Sequence, residues 1–323
     1  MYTMHRKSIR YLIKYQFIHK LIKASRKVIL PGFEGIPLYI VSKFFIQGMQ
    51  NGALLMRAQS LAFSFFLALF PSIIFLFTLI PYIPIDNFQE SLFGLLQGLF
   101  PQAAYEAAEE TIVDIIKNQH SGLLSFGFIS ALYFSTNGFN SMMTAFNETY
   151  HDIETRSVLR QRFVALVMVI ITTSMIAIAI TLIIFSELAL QRLIKADSVV
   201  YYLILFGKWF VLIALCFCFI SVNYFLGPKR KKGFNFFSPG SIVATVLTII
   251  SSLIFTYYVN HFGNYNKLYG SIGTLIVIML WIFINSVILL LGFDLNVSIL
   301  SAKAKHNKAI SKQKSYILKG KLS

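Results

Sequence analysis

Six long blocks of apolar sequence, each near the ~20 residues that a helix needs to cross a bilayer, set the limits on what this chain folds into. They run approximately 57–81, 122–145, 163–186, 201–226, 240–260 and 271–299. The apolar residues are 56% of the chain and the charged ones only 13%, about half the charged share of a soluble domain. They lie in continuous runs, not at amphipathic spacing, which marks segments solvated by lipid. The expected fold is all-α: a polytopic six-helix membrane bundle with amphipathic interfacial helices. Residues 1–52 form a basic N-terminal segment, 82–121 an external helical segment, and 301–323 a basic tail. No cleavable signal pattern is present.

Lysine and arginine set the orientation, because they concentrate in cytoplasmic connections. The N-terminal segment through Arg57, the 146–162 and 227–239 loops and the tail carry 24 of them, against five in the opposite set. Both termini are therefore expected in the cytoplasm. The formal charge of +16 has the same origin, and no specific nucleic-acid partner is expected. Cys216 and Cys218 lie on different faces of one apolar helix, so neither a disulfide nor a metal site is implied. In residues 1–32, Ile9, Leu12, Ile13, Phe17 and Leu21 recur at helical spacing among eight basic residues. That pattern fits a helix lying on an anionic leaflet, or a loose tail. A second amphipathic stretch, PLYIVSKFFIQGMQNG, leads into the first span.

The segment after the first span is acidic, and SLFGLLQGLFP and AAYEAAEETIVDIIK read as amphipathic helices. They form a lid over the outer mouth or rest on the outer leaflet. Inside the spans, polar side chains need partners, so polar stripes are expected to face inward. Ser130, Asn137, Ser141, Thr144 and Glu148 share one face of the second span. Ser241, Thr245, Thr248 and Ser252 share one of the fifth, and Thr274, Asn285, Gly292 and Asn296 one of the sixth. The first span offers a small-residue face, Ser60, Ser64 and Ala68, and Pro71 near mid-membrane is expected to kink it. These stripes serve either helix packing or a polar path.

Asp294 and Arg57 fall at similar depth on the cytoplasmic side, and pairing them would relieve both desolvation costs. Glu148 and His151 are one turn apart, but two ligands without a third make a solvated helix end the better reading. No catalytic grouping, phosphate loop or metal cluster appears. No enzymatic activity and no cofactor are expected.

Three motifs carry a resemblance. LYGSIGTLIVIMLWIFINSVILLLGFDLN, with Tyr269, Gly270, Trp281 and Gly292, resembles the most characteristic segment of the YihY / virulence factor BrkB family. RAQSLAFSFFLALFPSIIFLF is similar to that family's first span, and LGPKRKKGFNFFSPGSIVAT, with Pro239 and Gly240, to its loop between spans four and five. The chain departs from the pattern in having Gly-Phe-Asp-Leu-Asn where Gly-Ala-Glu-x-Asn is more usual. The resemblance implies a bacterial inner-membrane protein of six helices and prescribes no reaction. An older label, ribonuclease BN, attaches to relatives, but no acidic cluster for Mg²⁺ or histidine pair supports nuclease chemistry here. The leading expectation is transport of an amphipathic or lipid-like substrate. The alternatives are a non-transporting scaffold or envelope-integrity factor and, more distantly, a membrane hydrolase. Oligomeric state does not follow from the sequence.

Overall fold

The structure, a computed structural model, describes residues 23–51, 53–82, 114, 118–149, 156–192, 199–229, 235–262 and 271–319. Its named elements are helices: α1 Leu38–Asn51, α2 Leu54–Leu79, α3 Ser121–Glu148, α4 Val158–Arg192, α5 Val199–Leu226, α6 Pro239–Phe262 and α7 Ser271–Lys319, with a 3₁₀ turn at Ile80–Tyr82. The basic stretch 1–22 and the acidic segment 83–113 lie outside the described residues.

Helix ends follow local chemistry. Pro239 takes the first position of α6, where its missing N–H is harmless. Ser238 caps that end, its Oγ accepting from the Ser241 amide at 3.2 Å. Inside α2 the helix runs on through Pro71. Proline has no N–H for the carbonyl four residues back, and the next residue, Ser72, donates to Ala68 O at 2.7 Å. The largest departure from expectation is α7, whose 49 residues span roughly 74 Å at 1.5 Å per residue. The expected last span and the start of the basic tail are one helix. Likewise α4 begins at Val158, so Arg160 and Arg162 are helical, not loop residues.

Five helices, α2, α4, α5, α6 and α7, contain segments long and apolar enough to cross a membrane. The 28-residue α3 is long enough, but its serines, threonines and asparagines keep it out of that set. In space α2 packs on α3, α3 on α4, α4 on α5, α5 on α6, α6 on α7, and α7 back on α2, closing a ring. The α1 helix lies along α7. It is joined there by the turn PGFEG, where Phe33, Ile36 and Val41 pack with Ile299 and Ala302 and Glu34 pairs with Lys303. Gly32 needs its φ of +82°, and a Cβ there would meet Pro239 Cγ at 2.6 Å.

Burial is concentrated at one end of the ring. The buried residues of α5 are Ile220, Ser221, Asn223 and Tyr224, near its C-terminus. Those of α6 include Ser241, Ala244 and Thr245 near its start, and those of α7 run largely from Ser286 to Ala302. At the centre of this end Phe146 of α3 stacks on Phe293 of α7, with ring centroids 4.1 Å apart. Tyr224 meets both rings edge-on, and its hydroxyl donates to Leu289 O at 2.6 Å. This aromatic plug closes the ring where the basic connections gather.

Candidate functional site

The charged chemistry of the closed end centres on α2 and α7. Arg57 opens the second turn of α2, and Asp294 lies in the part of α7 that α2 crosses. The structure brings them together: Arg57 Nη2 sits 3.0 Å from Asp294 Oδ2, with side chains 4% and 2% exposed. Arg57 Nη1 also donates to Ala145 O at 2.9 Å and to Thr149 Oγ1, and Thr149 in turn donates to Asp294 Oδ1 at 2.8 Å. Arginine's planar fork permits this, reaching a carboxylate and a helix end at once. The result is a three-helix lock joining α2, the C-terminus of α3 and α7. Sequence reasoning missed Thr149, since a threonine at a span end has no signature until the fold places it between two charges.

The second lock joins α6 to α7. Asn296 Oδ1 accepts from the Gly240 N–H at 2.8 Å, and its Nδ2 donates to Ser238 Oγ at 2.8 Å. The backbones touch here: a Cβ on Gly240 would lie 2.0 Å from Gly292 O. The motif residues Pro239, Gly240, Gly292 and Asn296 therefore form one helix crossing. Trp281, partly exposed, meets Phe255 of α6 at 6.2 Å between centroids. Tyr269 and Gly270 lie outside the described residues.

A third contact was also missed. Arg156, just before α4, turns its guanidinium onto the end of α5, where Nη1 donates to Gly227 O at 2.7 Å. Its Nη2 donates to Leu226 O at 3.0 Å and Pro228 O at 2.7 Å. Those are the carbonyls a helix C-terminus leaves unsatisfied, and a cation suits the negative end of the helix dipole. Burial, and then the neighbouring Arg160, pushes the Arg156 pKa down, but a guanidinium starts high enough to stay charged. Arg156→Ala is expected to destabilise the fold by about 2–3 kcal/mol, the worth of charge-assisted bonds to carbonyls that then lie unpaired. Thermal unfolding of the purified variant in detergent measures it, and an unchanged midpoint refutes the capping role.

The polar stripes divide. In α6, Ser241 and Thr245 are buried and Thr245 donates to Ser241 O at 2.8 Å, while Thr248 and Ser252 are half-buried. In α7, half-buried Asn285 donates to Trp281 O at 2.9 Å, and its buried Oδ1 has no protein partner. Nothing is described of the Thr274 side chain. Of the α3 stripe, Ser141 alone reaches inward, its Oγ 2.8 Å from Ser64 Oγ of α2.

The remainder of the α3 stripe corrects the inward expectation. Thr144 and Glu148 are exposed, and Ser130 and Asn137 half-buried. Asn137 and Thr144 each precede by two residues a buried phenylalanine, Phe139 and Phe146, so they point about 200° away round the helix. Gly127 and Gly138 lie against Phe75 and Phe65 of α2, and Asn140 accepts from Gln161 of α4 at 2.6 Å. With α2 on one flank and α4 on the other, the stripe faces out of the ring. The cause is competition for one helix: its small and aromatic residues permit closer packing than its hydroxyls and amides, so they take the inner faces. Glu148 is exposed and His151 lies outside the described residues. Cys216 and Cys218 are free thiols.

A ring of apolar helices closed at one end by buried charge and backbone contacts defines a polytopic helical membrane protein. The chain belongs to the family described as Virulence factor BrkB, whose model matches residues 45–316. It is 31% identical over 244 residues to the putative ribonuclease-like protein YfkH of Bacillus subtilis, covering 74% of this chain and 88% of that protein. It is 25% identical to a UPF0761 membrane protein of Aggregatibacter aphrophilus, covering 78% of this chain and 88% of the relative. No solved structure matches.

Proposed function

We propose that this is a six-span bacterial inner-membrane protein, with α3 as its second span, that moves an amphipathic, lipid-like substrate. The observation that carries this reading is the outward stripe of α3. An asparagine turned to hydrocarbon is costly and is normally hidden against another helix. Half-buried Asn137 and exposed Thr144 instead lie on the face of α3 between its α2 and α4 flanks. Such a polar strip would let a headgroup travel along the protein's flank while its chains stay in the bilayer. The closed end faces the cytoplasm, because Arg57, Arg156, Lys303 and the tail gather there and basic residues favour that side. Both termini are then cytoplasmic. No step calls for a cofactor or for catalysis, and the ribonuclease-like name of the Bacillus relative finds no acid–base or metal chemistry to attach to in this sequence.

The test is exchange of a fluorescent phospholipid between leaflets of vesicles holding the purified protein. Exchange above empty vesicles, reduced at least tenfold by Asn137→Leu with Thr144→Leu, is the expected result. Exchange at background would leave the scaffold reading, which the direct Ser64–Ser141 contact and the two locks at the closed end favour.

A further inference from the structure

We propose that Arg162 and Tyr133 form a binding site for the phosphate of a phospholipid headgroup, placed beside the outward stripe of α3. Arg162 lies in the second turn of α4, and its guanidinium carbon sits 5.7 Å from the centroid of the Tyr133 ring on α3. Gln161, one residue earlier, is bonded to Asn140 at 2.6 Å, which fixes the start of α4 against α3. Arg162, half-buried, therefore stands on the same flank as Tyr133 and Asn137.

What distinguishes this arginine is what it leaves unused. Arg57 has a carboxylate, a carbonyl and a hydroxyl, and Arg156 has three carbonyls. Among the described residues, Arg162 has the Tyr133 ring and no carboxylate or carbonyl acceptor. A guanidinium is a permanent cation in proteins. It therefore calls for an anion, and its planar N–H fork matches two oxygens of a phosphate. The aromatic face holds the cation in plane and leaves the edge donors free. The surroundings suit an amphiphile better than a free ion. Tyr133 is 57% exposed, and Ile129 and Phe126, one and two turns back along α3, are 66% and 64% exposed, as is Phe163, next to Arg162 on α4, at 66%. Phosphate at Arg162 and an acyl chain along Phe126 and Ile129 satisfy both halves of one molecule.

The inference rests on the outward face of α3 being a lipid path and names the group recognised along it. Full-length protein, stripped of lipid in detergent, is titrated with phosphatidylglycerol, with diacylglycerol of the same chains and with inorganic phosphate, and bound ligand is counted by native mass spectrometry. Phosphatidylglycerol is expected to bind the wild type. Binding should weaken at least fivefold in Arg162→Gln and in Tyr133→Leu, and less in Arg162→Lys, which keeps the charge without the fork. Unliganded unfolding midpoints equal to wild type assign the loss to the site, and two substitutions on different helices guard against one misfolding. Equal binding of phosphatidylglycerol by Arg162→Gln overturns the proposal. So does diacylglycerol binding as well as phosphatidylglycerol, or inorganic phosphate filling the site alone. Because binding is read without leaflet exchange, intact binding beside absent exchange overturns only the transport reading.

Discussion

Gly240→Ala is expected to leave almost no folded protein in the membrane, and Gly292→Ala nearly as little. A Cβ at Gly240 would lie 2.0 Å from Gly292 O and 2.6 Å from Asn296 Oδ1. At Gly292 it would lie 2.4 Å from the Tyr224 hydroxyl and 2.6 Å from Gly240 O. These obstacles are mostly backbone or groups held by it, so rotamer changes do not relieve them. Relief requires α6 and α7 to part, which breaks the Asn296 bonds to Gly240 and Ser238 and disturbs the Tyr224–Leu289 bond. Overpacking alone costs about 1–3 kcal/mol. With buried polar groups stranded at about 1–3 kcal/mol each, the total reaches the range above about 4–5 kcal/mol that few proteins survive. The measurement is the yield of monodisperse protein from membranes, against Gly207→Ala on α5, where nothing lies within 4 Å of the added Cβ. Gly207→Ala should match or exceed wild type, and a normal yield of Gly240→Ala would show that the two helices do not cross as closely as the structure has them.

Much of this was legible in the sequence because a bilayer leaves few choices. Apolar runs of span length have to be helices, since any other backbone would strand its polar groups in lipid. The positions of α2, α5 and α6 follow closely. The end of α7 was misplaced because hydropathy falls at Lys303 while helix propensity does not. SAKAKHNKAISKQKSYILK contains no glycine or proline, so nothing stops the helix before Gly320. Asp294 could be matched with Arg57 because two charges at one depth in a low-dielectric layer have few other partners. The facing of the α3 stripe was not legible, because the rule that polar residues turn inward weighs hydroxyls alone. It leaves out the close approach that Gly127 and Gly138 allow against α2, which fixes the rotation of the whole helix. Arg156, Thr149 and the Arg162–Tyr133 contact depend on which loop meets which helix end, and no spacing in one sequence encodes that.

Breaking the Arg57–Asp294 pair one residue at a time is expected to cost more than removing both. Asp294→Asn leaves a guanidinium with side chain 4% exposed facing only neutral acceptors: Ala145 O, Thr149 Oγ1 and the new amide oxygen. Arg57→Met leaves a buried carboxylate with only the Thr149 hydroxyl and the backbone around it. Removing one member of a buried ion pair costs about 3–5 kcal/mol, because the other stays behind uncompensated. Replacing both by apolar residues of similar size is often near neutral, because the desolvation penalty disappears with the charges. In this protein the recovery should be incomplete. Arg57 also holds the C-terminal turn of α3 through Ala145 O at 2.9 Å, and Thr149 loses both charged partners in the double variant. Unfolding midpoints of Arg57→Met, Asp294→Asn and the double Arg57→Met/Asp294→Leu therefore separate two roles. A double variant more stable than either single one, yet below wild type, assigns the pair as a lock whose charges compensate each other and whose arginine also ties down α3. A double variant as unstable as the sum of the singles would mean that the two charges act independently. The contact seen between α2 and α7 would then not be what closes that end of the ring.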